Sequence, residues 1–216
     1  VRPMHAMLLH ILFVVCAYLL GSVASAIVVC RLMGLGDPRE GGSGNPGATN
    51  VLRLGGKKTA AITLVGDMAK GLIPAGLATG LGQPPLVVAL VAVAAFLGHL
   101  YPIYFGFKGG KGFATAIGSV AGISWLVVTA MVITWGVVAG LTRYSSLGTL
   151  IAVALTPVYV WFIMGNLPLT GATIVIAVFM FWRHAGNIER LLDGTESRIG
   201  DKADKSPQAE PEAESP

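Results

Sequence analysis

The sequence predicts an all-α, polytopic membrane protein of about seven transmembrane helices, one of them short, with glycine-rich loops gathered on one face. Three observations carry that prediction. Hydrophobic residues fill 54% of the 216 positions and charged residues 12%, with a mean hydropathy of +0.71, a balance that a water-facing surface does not sustain. Apolar runs of membrane-crossing length recur along the chain. Between them, Lys and Arg fall in alternate connecting segments.

The first run is Leu8–Cys30. Val23-Ala24-Ser25-Ala26 resembles a leader cleavage site after a short basic start at Arg2, but the apolar stretch continues to Arg31, so a retained helix is expected. Cys16 and Cys30 lie within it, about 21 Å apart on a continuous helix and beyond disulfide reach. Thr59–Leu81 and Leu86–Phe107 each read as one crossing. Phe113–Leu141 extends 29 residues, roughly 43 Å as a helix, too long for one crossing and too short for two. Gly118 and Gly122 offer a break, so a short helix over 113–121, a turn at Gly122-Ile123-Ser124 and a full crossing to Leu141 are expected. Leu147–Met164 and Leu167–Trp182 complete the count.

Seven crossings bring 31–58, 108–111, Arg143 and everything from Arg183 onward to one face, with thirteen of the fifteen Lys and Arg; Arg2 and Lys70 are the exceptions. The opposite loops, 82–85, 122–124 and 165–166, carry no charge. The positive-inside rule then makes the basic face cytoplasmic and puts the N-terminus outside, whereas six crossings would place 183–205 on the wrong side. Residues 1–198 read as a single membrane-embedded domain. Residues 199–216, rich in Pro, Glu, Ala, Ser and Lys, are expected to be a disordered tail. The formal charge is +4, yet six of the eleven acids follow Asp193, so the membrane domain is the more basic part, either for orientation or for an anionic partner.

Three polar segments fall on the basic face. In the first, 41–53, dense glycine lets several backbone N–H groups aim at one anion, and a helix starting near Thr49 adds its positive end. Ser43, Gly44, Asn45, Gly47, Thr49 and Asn50 are candidate ligands there, with Arg53 a bidentate phosphate clamp. No Walker pattern occurs, so nucleotide hydrolysis is not supported. The second, 107–115, sets Lys108 and Lys111 around Gly109 and Gly110. Lysine offers a point charge to phosphate, though a snorkelling lysine at a membrane boundary explains Lys108 equally well. The third, 184–198, places His184 and Asn187 on one stripe of a helix leaving the membrane, which an interfacial amphipathic helix would also do.

Ser43-Gly44-Asn45-x-Gly47-Ala48-Thr49-Asn50-x-x-Arg53, Gly109-Gly110-Lys111-Gly112-x-Ala114-Thr115 and His184-x-x-Asn187-Ile188-x-Arg190-Leu191-x-x-Gly194-x-Glu196-x-Arg198 resemble, in order, the three signature motifs of the bacterial acyl-phosphate:glycerol-3-phosphate acyltransferases. Gly66-Asp67-x-x-Lys70-Gly71 and Gly98-His99-x-x-Pro102 are similar to that family too, so the resemblance runs from about Leu8 to Arg198. Phe113, where a smaller aliphatic is usual, and the acidic tail depart from it. The resemblance implies a seven-helix enzyme of the bacterial cytoplasmic membrane that moves a fatty acyl group from acyl phosphate to glycerol 3-phosphate, giving lysophosphatidic acid and phosphate.

On that reading Asn45, Arg53, Lys111 and His184 are the catalytic candidates, and Ser43, Gly44, Gly47, Thr49, Asn50, Lys108, Gly109, Gly110, Asn187, Arg190, Glu196 and Arg198 the substrate-binding ones. An acyl phosphate carries its own leaving group, so no protein nucleophile is required. The acceptor's proton goes either to His184 or to an oxygen of the acyl phosphate itself. Asp67 and Lys70, three apart in a crossing, read as an ion pair that could face the site, and His99 as either a packing hydrogen bond or a site residue. No metal-ligand cluster stands out, and no cofactor, nucleic acid or obligate protein partner is expected beyond the two substrates and membrane lipid. The competing reading is a transporter for a phosphorylated or anionic solute; it should carry polar groups on both faces, and the outer loops are bare.

Overall fold

The computed structural model describes residues 2–201, and among them the regular structure is helical throughout. Nine α-helices follow in order: α1 (Arg2–Gly21), α2 (Ser25–Leu32), α3 (Ala48–Gly80), α4 (Pro85–Leu100), α5 (Phe113–Ile123), α6 (Trp125–Thr142), α7 (Ser145–Met164), α8 (Leu167–Arg183) and α9 (Ala185–Leu192). Helices α1, α3, α6 and α7, and α4 with the 3₁₀ turn that follows it, are long and apolar enough to cross a bilayer. Helix α8 qualifies together with α9, from which it is bent by 60°, and α5 is a shorter apolar helix. These make up the seven helices predicted, with α5 the short one.

The break in the fourth apolar run falls at Ser124, the last residue of the expected turn, while Gly118 and Gly122 lie inside α5. Helix α5 ends at Ile123, and Ser124 caps α6, its hydroxyl accepting the Val127 N–H at 3.4 Å. The first run departs from expectation, because it is two helices separated by Ser22–Ala24 rather than one. The chain packs closely on α4 at this break: a Cβ on Gly21 would lie 2.8 Å from the Ala95 carbonyl carbon, and one on Gly98 2.8 Å from the Ser22 nitrogen. The break frees the Val23 carbonyl, and Lys70 Nζ donates to it at 2.8 Å, which satisfies a backbone group that lipid could not. Cys16 is exposed and Cys30 buried, both as free thiols.

Helix α3 begins well before its apolar run, and Gly56, at φ 76° and ψ −175°, kinks it between an N-terminal polar portion and the spanning portion. Helix α4 is the centre of the bundle, packing on α1, α3, α5 and α8 through Val91, Ala95, Phe96 and Leu100, all fully buried. Helices α3 and α5 approach backbone to backbone, since a Cβ on Gly118 would meet Leu72 N at 2.9 Å, the small-residue packing that lipid-embedded helices use where water supplies no driving force. Leu126, Ile133, Val137, Phe162 and Trp182 are exposed on the outer surface, as lipid-facing residues are.

The predicted tail divides. Ile199 donates its N–H to the Arg143 carbonyl at 2.7 Å, and the Arg143 guanidinium returns a 2.9 Å bond to the Ile199 carbonyl, so the chain through Asp201 is tied to the turn between α6 and α7. The remainder of the tail, 202–216, lies outside the described residues.

Candidate active site

A cavity of about 650 Å³ lies where α3, α5, α7 and α9 begin. The alternation of up and down helices brings these four starts to one face. Helix α3 contributes Gly47, Ala48 and Thr49 to the wall, α5 contributes Phe113 and Ala114 behind Gly112, α7 contributes Ser145, Ser146 and Thr149, and α9 contributes Gly186 and Asn187. The leading N–H groups of a helix have no intrahelical acceptor, and its N-terminus carries about half a positive charge. Four such ends around one cavity make an anion site before any side chain is counted. Arg53, Lys111, Arg183 and Arg190 also line it, opposed by Asp67 and Glu196.

The first predicted segment is shaped by Asn50. Its Oδ1 accepts the Ser43 N–H at 2.9 Å, and its Nδ2 donates to the Pro38 and Gly41 carbonyls at 2.7 and 3.0 Å. Buried at 1% exposure, this side chain folds the loop onto α3 and is committed there. Upstream, Asp37 holds Arg39, which in turn donates to the Phe105 carbonyl at 3.0 Å and docks the loop against the turn after α4. The Arg39 hydrogen bonds keep the Asp37 carboxyl below its ordinary value.

In the second segment, the Gly109 and Gly110 N–H groups donate to the Leu100 and His99 carbonyls at 3.1 and 3.3 Å. Their own carbonyls accept from Arg183, at 2.8 Å for Gly109 and 3.3 Å for Gly110. These glycines were expected to bring backbone to a ligand; they bring it instead to the end of α4, where a Cβ on Gly109 would sit 2.6 Å from the Leu100 oxygen. What the turn presents to the cavity is Lys111, whose Nζ donates to Asn187 Oδ1. Burial, together with Arg190, Arg183 and Arg53 nearby, lowers the Lys111 pKa against the pull of Glu196.

The third segment closes the circuit. Asn187 Nδ2 donates to Glu196 Oε1 at 2.6 Å, and Arg190 Nε to Glu196 Oε2 at 2.8 Å. Burial would raise the Glu196 pKa, but these donors, with the Ser146 hydroxyl beside them, hold it below the ordinary carboxylate value. His184 is 5% exposed and sits at the bend, beyond the end of the α8 span. Its Nδ1 lies 2.8 Å from the Met180 carbonyl; a carbonyl only accepts, so Nδ1 carries the proton and Nε2 is the unprotonated nitrogen. Burial drives the His184 pKa down to about 4, with Lys111 and Arg183 adding to the effect.

Of the residues singled out from the sequence, Ser43, Asn45, Gly47, Thr49, Asn50, Arg53, Lys111, His184, Asn187, Arg190 and Glu196 line this one cavity. Gly44, Lys108, Gly109, Gly110 and Arg198 stand off its lining. Lys108 is exposed, and Arg198 turns outward to the Tyr144 hydroxyl and ring. Asp67 and His99, left open between packing and site, both line the cavity. Sequence reasoning missed Arg183, Ser145, Ser146 and Thr149. The signal for the α7 residues was topological, since any helix leaving the basic face delivers its first turn there.

A family profile described as glycerol-3-phosphate acyltransferase matches residues 11–194. Curated relatives of that description include one from Thioalkalivibrio sulfidiphilus, 55% identical over 91% of this chain and 97% of the relative. Another, from Methylococcus capsulatus, is 54% identical over 86% and 94%. Among solved structures, the glycerol 3-phosphate form of PlsY (YgiH), an integral membrane glycerol 3-phosphate acyltransferase, superposes with a TM-score of 0.85 at 38% identity, covering 88% of this chain and 96% of that one. Its lysophosphatidic acid form gives 0.83 at the same identity, over 88% and 95%. With matches of this extent, this chain belongs to the glycerol-3-phosphate acyltransferase family.

Proposed function

We propose that the chain transfers a fatty acyl group from acyl phosphate to glycerol 3-phosphate, releasing lysophosphatidic acid and phosphate. We place the site on the cytoplasmic face of a bacterial inner membrane, with the N-terminus outside. The observation that carries the reading is the convergence of four helix N-termini and four cationic side chains on one cavity whose lining also takes in Leu64, from the apolar span of α3, and Phe113, the first residue of apolar α5. Two phosphorylated substrates need that much positive potential, and an acyl chain needs a route from the bilayer.

The α3 start and Arg53 form one phosphate cradle; Lys111, Arg183 and the starts of α5 and α7 form the other. The terminal hydroxyl oxygen of glycerol 3-phosphate attacks the acyl carbonyl carbon, the carbonyl–phosphate C–O bond breaks, and phosphate leaves with the electron pair. Cations and helix ends that face the developing charge stabilise it without reorganising. The hydroxyl proton passes to a phosphate oxygen of the donor. His184, neutral and fixed by Met180, offers Nε2 as a hydrogen-bond acceptor, and its lowered basicity favours the phosphate as the base.

Purified protein in detergent, given palmitoyl phosphate and glycerol 3-phosphate, is expected to form lysophosphatidate and release phosphate in equal amounts. No turnover there, with phosphate-ester flux in sealed vesicles, would replace this reading with the transporter.

A further inference from the structure

We propose that Asp67 reads the glycerol backbone, its carboxylate accepting a hydrogen bond from the central hydroxyl, the one that is not acylated. The inference rests on the acyl-transfer reading above.

Asp67 lies fourteen residues beyond Arg53 on α3, up to about 21 Å along the axis before the Gly56 kink shortens it, in the apolar span, whereas Arg53 lies near the start of the helix. At 2% exposure, a carboxylate inside a membrane-spanning helix costs several kcal/mol unless it is compensated. The compensation comes from behind and onto one oxygen: Lys70 Nζ is 2.8 Å from Oδ1, and His99 Nδ1 is 3.5 Å from the same atom. Lys70 is anchored in turn on the Val23 carbonyl at the α1–α2 break. Among the described residues no hydrogen bond or ion pair is made to Oδ2.

Of the two carboxylates on the cavity wall, Glu196 has both oxygens engaged, by Asn187 and Arg190. Asp67 therefore holds the spare carboxylate oxygen. A carboxylate repels a phosphate and accepts from a hydroxyl, so the cations take the phosphates and Asp67 takes the polyol. Glycerol 3-phosphate offers two hydroxyls there, one that attacks and one that only binds. An ion pair that served packing alone would gain nothing from facing a cavity, and apolar residues of the same volume would be as stable.

The test compares two acceptors, glycerol 3-phosphate and 1,3-propanediol monophosphate, which keeps the phosphate and the terminal hydroxyl and lacks the central one. Palmitoyl phosphate is the donor. Wild type is expected to prefer glycerol 3-phosphate by about 10- to 100-fold in kcat/KM, the worth of a hydrogen bond to a charged group. The Asp67→Ala/Lys70→Met double variant, which removes the carboxylate with its ammonium and strands no buried charge, is expected to bring that ratio close to one by lowering kcat/KM for glycerol 3-phosphate alone. Asp67→Asn, which keeps the shape, should lower the ratio part of the way. Because the ratio is taken within one preparation, the folded fraction cancels. A wild type that does not discriminate, or variants that lose both acceptors in proportion, would overturn the inference while leaving acyl transfer intact. A wild type that acylates neither acceptor overturns the acyl-transfer reading instead.

Discussion

Gly109→Ala tests whether the glycine turn sets the position of the site cations. The new Cβ would lie 2.6 Å from the Leu100 oxygen, closer still to the His99 oxygen, and 2.7 Å from Pro102 Cδ. Two of these neighbours are backbone at the end of a buried helix and cannot turn aside. Restoring an ordinary 3.4 Å separation from the Leu100 oxygen alone moves the turn by at least about 0.8 Å. That shift breaks the Gly109 N–H bond to Leu100 and draws the Gly109 carbonyl away from Arg183. Overpacking costs about 1–3 kcal/mol and a lost hydrogen bond about 1 more. Lys111 is two residues along, and a misplacement approaching 1 Å lowers turnover by roughly 10²-fold. The assay is kcat/KM for glycerol 3-phosphate alongside the melting temperature in detergent, with Gly136→Ala as control because its Cβ would meet nothing within 4 Å. Were Gly109→Ala to match the control in both, the close approach would not be positioning anything. A melting loss with unchanged kcat/KM would separate the turn's packing from the site and refute the second half of the argument.

His184→Gln is expected to keep acyl transfer within about 10-fold of wild type, and a loss beyond 10²-fold with substrate binding intact would assign the proton to His184 after all. The same residue sets an acid limit on stability: with its pKa lowered from 6.5 to about 4, its contribution is complete above pH 6.5 and is lost as pH falls toward 4, by up to about 3 kcal/mol. Melting curves at pH 7 and 4.5 should show an acid drop that is smaller in His184→Gln; equal drops would contradict the assignment. Glu196→Gln keeps one acceptor oxygen but removes the charge that Asn187 and Arg190 share, so Asn187, the acceptor for Lys111, is held less firmly. A rise in KM for glycerol 3-phosphate of about 10-fold is expected from the weakened charged hydrogen bonds, and steady-state kinetics with an unchanged KM would show that the circuit does not hold substrate.

Much of the architecture was legible because the bilayer leaves a chain few options. The 29-residue run from Phe113 to Leu141 fits neither one crossing nor two, and Gly122, one of the two glycines that suggest a break, lies two residues before Ser124, which caps α6. Once that break is accepted, parity places three polar segments on one face. What parity cannot give is which backbone groups are already spoken for. Asn50 looked like a ligand because it is a polar side chain in a glycine-rich loop, and it is the loop's own internal brace. Gly109 and Gly110 looked like a phosphate cradle, yet their N–H groups pair with the end of α4, a partner close in sequence but fixed only by the turn between. Arg183 counted only as one of the basic residues after the last run, and it serves as the clamp on that turn. At the break over Ser22–Ala24, Gly21 packs on Ala95 and the freed carbonyl is met by Lys70, partners too far along the chain to be read from the local sequence.

On the proposed reaction, a cavity wall that runs from helix starts on the basic face to Leu64 on the spanning part of α3 puts the chemistry on two concentration scales at once. The polar acceptor arrives from solution and is counted in moles per litre. The acyl donor, in that proposal, arrives within the bilayer and is counted as a fraction of lipid. Diluting the donor with inert lipid, at constant total amount, should slow the enzyme while the half-saturating concentration of glycerol 3-phosphate stays fixed. For a cell, the rate then follows how crowded the membrane is with donor, so the supply of acyl chains meters the synthesis of the lipid that surrounds the enzyme.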